Sequence, residues 1–137
     1  MVCRSTGSLV IMQNLANQPP SLEESWALGW AAFLEALAIL AMEAPEQCRA
    51  MGNYNVPWEL QHDVLAGEYL LSSPVSRVTE LQRNLLVDLL RELRALPSEA
   101  IGQPNTIEGN LRGMSHVAWS GLRDRAAQAL VAVKGRA

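Results

Sequence analysis

The apolar positions of the chain fall into helical stretches punctuated by proline and glycine. Ser21 stands as a cap before Glu23 and Glu24, whose carboxylates suit the positive end of a helix that runs to Glu43 and stops before Pro45. Between Trp26 and Met42 the only charge is Glu35, so this first helix is apolar nearly all round. That is the pattern of a helix surrounded by others or completed by a second copy of the chain. As a membrane span it would reach only about 25 Å of a hydrocarbon layer about 30 Å thick, with Glu35 near the middle. A buried central helix is the expectation, and no membrane partner.

Gly52, Asn53 and Asn55 tolerate turn conformations, so 45–55 reads as a short turn of helix followed by a loop. Pro57 suits a first helical turn, and a second helix is expected over 57–72, broken by Pro74. A third, over 76–96, repeats Val78, Leu81, Leu85, Leu89, Leu93 and Leu96 at spacings of three and four. Arg77, Glu80, Arg83, Asp88, Arg91 and Arg94 make its polar face. Pro97 ends it. The segment 98–114, with Gly102, Pro104, Gly109 and Gly113, reads as a long connection holding a helical turn near 106–111. Ser115 caps a last helix over 116–134, with Val117, Leu122, Ala126, Leu130 and Val133 as its buried stripe and Gly135 at its end. Residues 1–20, rich in small polar residues and closed by Pro19-Pro20, read as a flexible, partly disordered N-terminal arm.

The expected fold is therefore all-α: a compact bundle of four main helices plus short helical turns, with residues 21–137 as one helical domain. A chain of 137 residues suits one core, and its many Leu and Ala outweigh its few β-branched and aromatic residues.

Charge narrows the function. Ten Arg and one Lys are scattered among fourteen carboxylates for a net charge of -3, without a basic block. Nucleic acid is thus an unfavoured partner, and Asp124 between Arg123 and Arg125 weakens any reading of the last helix as a recognition helix. Cys3 and Cys48 lie far apart without CxxC spacing, which favours a reducing, cytoplasmic home. Arg4 followed by the apolar run Leu9 to Met12 is too short for a signal peptide, whose apolar region spans about 7 to 15 residues.

Three constellations bear on chemistry. Glu59 and His62 form a Glu-x-x-His on one helical face, to which Asp63 adds an oxygen, but di-iron helical proteins use this unit twice and the second copy is missing. Glu59, His62 and Asp63 are weak metal candidates, a solvated polar face is the plainer reading, and no cofactor is expected. Cys48 sits beside Arg49, which favours a thiolate, yet without a nucleophile signature it reads as a small core residue. No glycine-rich phosphate loop is present, and the single lysine, Lys134, lies near the end of the chain.

The four tryptophans stand against one phenylalanine. Trp26 and Trp30 share a helical face, whereas Trp58 and Trp119 each fall in a first turn. Core filling is the plainer reading, and a Trp-lined ligand pocket with Tyr54 and Tyr69 as polar tips is the other. The pattern points to a non-enzymatic protein-interaction module: an adaptor or an antitoxin-like or immunity-like inhibitor, binding a protein partner or itself as a homodimer. The alternative is a small-molecule- or metal-binding helical bundle. Tyr54, Trp58, Glu59, His62, Tyr69 and Trp119 are the candidate ligand or interface residues.

Overall fold

The computed structural model describes residues 18–134, and every regular element among them is helical. In chain order these are α1 (Leu22–Leu40), α2 (Ala44–Ala50), α3 (Val56–Leu65), α4 (Tyr69–Ser72), α5 (Glu80–Arg94), α6 (Ser98–Ile101), α7 (Ile107–Met114) and α8 (Ala118–Lys134). Most of the expected N-terminal arm, Cys3, the Leu9 to Met12 run and Gly135 lie outside the described residues. Among those described, no helix is long and apolar enough to cross a membrane.

Local sequence sets the helix ends. Ser21 accepts from the Glu24 amide while the Glu24 carboxylate accepts from the Ser21 amide, a reciprocal cap that satisfies two otherwise unpaired donors. Hydrogen bonding to the carboxylate by the Ser21 backbone amide, and then by the Ser21 side chain, holds the Glu24 carboxyl below its ordinary value of 4.5. Thr79 and Gln82 repeat the arrangement at the start of α5. The third helix thus begins three residues after Arg77, later than the apolar repeat suggests.

That shift corrects the buried stripe. The core-facing positions of α5 are Gln82, Leu86, Leu89, Leu90 and Leu93, while Leu81 points to solvent. Val78 precedes the helix and so does not lie on its wheel. Gln82 takes a core position because its amide is satisfied: it accepts from Thr79 and donates to the Ala132 carbonyl of α8 at 3.4 Å.

Three more boundaries differ. The first helix ends at Leu40, and Glu43 caps α2 instead of extending α1. The expected 57–72 helix divides into α3 and α4 at Gly67, where an added Cβ would run into the Phe33 ring. The expected long connection holds two helices, α6 and α7, the latter capped by Thr106. In α8 the buried set is Trp119, Leu122, Ala126 and Ala129; Val117 lies before the helix and is exposed.

α8 packs on both α5 and α1, and α3 packs on α1, α5 and α7. The interior these helices share is sewn together by side chains that bond backbone carbonyls. Trp119 donates from Nε1 to Ala100 at 3.1 Å, Trp26 from Nε1 to Leu70 at 3.0 Å, and Gln61 from Nε2 to Leu93 at 3.0 Å. Gln47, fully buried, donates to Leu40 and accepts from Arg123, whose guanidinium also reaches the Met114 carbonyl. The accepting carbonyls lie in the last turns of their helices, where the backbone leaves acceptors unpaired, and each bond fixes the spacing of two elements.

Candidate interaction surface

α1 buries Trp26, Phe33, Ala36, Leu37 and Leu40 along one side only. Its opposite side carries Ala27, Leu28, Ala31, Glu35 and Ala38, all exposed, with Leu28 at 68%. The expectation of a central helix surrounded by its own chain is corrected by this face: α2, α3, α4 and α8 cover one flank and leave the other to water. The side chains there are mostly single methyl groups, which permit a second helix to approach closely.

Beside this face runs a groove of about 480 Å³ between α1 and the α3–α4 segment. Gly29, Ala32, Ala36 and Phe33 form its α1 wall, and Ala66 and Gly67 its α3 side. Two glycines shape it sterically. A Cβ on Gly67 would meet the Phe33 ring, and one on Gly29 would meet the Tyr69 hydroxyl. The Tyr69 phenol therefore reaches across from α4 to lie on the backbone of α1. Glu35 and Asp63 give the groove its charge, and among the described residues no basic side chain lines it.

The residues singled out from sequence are distributed, not gathered. Trp58 stacks on His62 with ring centroids 3.8 Å apart on the outer face of α3. His62 Nδ1 lies 2.8 Å from the Trp58 carbonyl, which can only accept, so Nδ1 carries the proton. Glu59 is half-buried on the same helix and Asp63 is exposed, turned into the groove. Among the described residues no three His, Cys, Asp or Glu side chains converge on a point that could hold a metal ion.

Tyr54 is exposed on the loop before α3, and Trp119 is fully buried in the core, away from any surface. Trp26 and Trp30 stack at 5.2 Å, and Trp30 leans on Phe33. No tryptophan lines the groove, nor the smaller cleft of about 240 Å³ formed by Pro45, Cys48, Arg49, Asn53, Ile107 and Leu111.

The loop carrying Tyr54 is held firmly. Asn53 and Asn55 both take positive φ, 56° and 49°, in the left-handed region that asparagine tolerates better than most residues. Buried Asn110 holds both ends of this turn, accepting from the Val56 amide at 3.0 Å and donating to the Asn53 carbonyl at 3.0 Å, while Asn105 accepts from Asn55 at 2.6 Å. This fixes the start of α3 and, through it, Trp58.

Cys48 is a free thiol, buried on α2. Burial raises it above its ordinary value of 9.0, against a smaller opposing pull from Arg49. A raised value is the reverse of what a nucleophilic cysteine needs.

No protein-family model matches the chain, and no curated protein or solved structure matches it.

Sequence reasoning named Asp63 and Tyr69 but not the groove they share with Glu35. The available signal was Gly29 and Gly67 inside helical patterns, since a glycine in a helix often marks a close approach.

Proposed function

We propose that the chain is a non-enzymatic protein-interaction module that self-associates through the outer face of α1. One observation carries this reading: a helix apolar nearly all round buries only one of its sides, leaving Ala27, Leu28, Ala31 and Ala38 to water. Surface helices normally place charge on their solvent side, and apolar area left in water is the usual ground for association.

The positions of the carboxylates favour an antiparallel pair. Two copies crossing at Ala31 set Glu35 against the partner's Ala27 and Glu24 against the partner's Ala38. A parallel pair would instead place like carboxylates opposite one another, which is costly.

Light scattering behind size exclusion, over a concentration series, tests the reading. The expected result is a mass that moves from one chain to two as concentration rises, with Ala31→Glu holding the chain at one mass while its thermal unfolding at low concentration stays unchanged. A single-chain mass at every concentration, with no patch able to bind an apolar dye, overturns it.

A further inference from the structure

We propose that the groove between α1 and the α3–α4 segment is the docking site for an arginine of a partner protein, presented on an extended segment with apolar neighbours. The proposal rests on the interaction-module reading and names the chemistry of one partner.

Three features of the groove select that occupant. Its floor is apolar, built from Gly29, Ala32, Ala36 and Gly67 against the Phe33 ring, which suits the methylene stem of a long cationic side chain. Its charge comes from two carboxylates, Glu35 on α1 and Asp63 on α3, entering from opposite sides. Among the described residues neither is in an ion pair of the kind that joins Asp88, Glu68 and Glu92 to Arg91, Arg94 and Arg125. Both carboxylates are therefore open to a cation supplied from outside, over an apolar floor.

Arginine is favoured over lysine for that space. Its planar guanidinium offers five donors in a fixed fork, is weakly hydrated, and can bond carboxylates on two sides at once. The Tyr69 hydroxyl, resting on Gly29 at one end of the groove, supplies a further acceptor and a ring edge for the stem.

Occupancy has a defined cost to the partner. An arginine alone in water gains little from exposed carboxylates, so flanking leucine-like residues that cover Ala32 and Ala66 are needed to exclude solvent. This is why the occupant is a peptide segment and not a free cation.

The test is a titration of the isotope-labelled full chain with acetyl-Leu-Arg-Leu-amide, followed by amide chemical shifts. It is run at a concentration where light scattering gives a single mass, so that groove binding and self-association are read separately. Shifts are expected at Gly29, Asp63 and Gly67, with an affinity that falls by about tenfold when citrulline replaces arginine, when Glu35→Gln and Asp63→Asn are combined, or when salt is raised. Filling the groove with Ala66→Leu, or with Ala32→Leu on the opposite wall, is expected to remove the shifts while both carboxylates remain.

Absence of shifts at the groove amides overturns the proposal, as does an equal response to the citrulline peptide. Full binding by both filled variants also overturns it. Groove shifts that follow protein concentration without peptide identify a second copy as the occupant and refute it in the same way.

Discussion

α1 and α5 are both long, leucine-bearing helices opened by the same reciprocal cap, yet they finish their surfaces differently. α5 sets Leu86, Leu89, Leu90 and Leu93 inward and surrounds them with charge, including Arg91 bonded to Asp88 at 2.9 Å, Arg94 to Glu68 and Glu92 to Arg125. α1 buries Phe33, Leu37 and Leu40 but turns alanines, Leu28 and a single carboxylate, Glu35, toward water over Ala27 to Ala38. Both inner faces build the core. Only the outer face of α1 is composed like an interior, and that composition is the ground for assigning it a partner.

The comparison breaks most severely where either helix meets the core. Leu90→Ala in α5 and Phe33→Ala in α1 each empty a buried position. Each is expected to lower unfolding free energy by about 3 to 5 kcal/mol in urea titrations. Equal costs are the expected outcome, because inward the two helices are alike.

Next in size is the loop that positions α3. Asn110→Ala strips the bonds to Val56 and Asn53 and leaves the turn of two left-handed asparagines with the Asn105 bond to Asn55. A loss of about 2 to 3 kcal/mol is expected, with hydrogen exchange rising first at Asn53 to Val56. Gly67→Ala, which drives a methyl into Phe33, is expected to cost about 1 to 3 kcal/mol and to narrow the groove.

Outward substitutions sharpen the contrast. Leu28→Ala is expected to change the stability of the single chain by no more than about 0.5 kcal/mol, since the side chain is 68% exposed. It should nevertheless weaken association. A comparable loss in both measurements would mean that Leu28 supports the fold and not an interface.

The smallest effects are titrations. Glu24 is held below 4.5 in the folded chain, so its contribution is present above that value and is lost as pH falls through the lower folded value. Acid unfolding of Glu24→Gln should accordingly show a shallower dependence on pH. Cys48 is raised above 9.0, so its thiol contributes fully below that pH, and stability declines as pH climbs toward the folded value. Cys48→Ala should remove that alkaline decline.

What the sequence made legible follows from how local each signal is. The start of α1 is encoded within four residues by Ser21 and Glu24, and Pro45 and Pro57 mark first turns without help from the rest of the chain. The stripe of α5 was harder to read because Gln82, a polar residue, occupies a core position on the strength of a carbonyl fifty residues away. The repeat through Leu81 and Leu85 matches helical spacing equally well. Its Leu89, Leu93 and Leu96 are buried, whereas Leu81 is exposed and Val78 precedes the helix.

The division between α3 and α4 depends on Gly67 meeting Phe33, a contact between segments that spacing alone does not reveal. The groove is harder still, since Glu35 and Asp63 become neighbours of one space only when α1 and α3 pack. By contrast, the apolar character of α1 on all sides was visible in the residues themselves. Packing decided which side would remain uncovered.

The most direct measurement is oxidative cross-linking of Ala31→Cys in a Cys3→Ser chain, compared with Ala38→Cys in the same background. An antiparallel pair crossing at Ala31 brings that position against itself, within the Cα separation of about 7 Å that a disulfide tolerates, and sets Ala38 against the partner's Glu24. The account predicts a linked dimer from Ala31→Cys and none from Ala38→Cys. No link at Ala31, or a link at Ala38 alone, would contradict it.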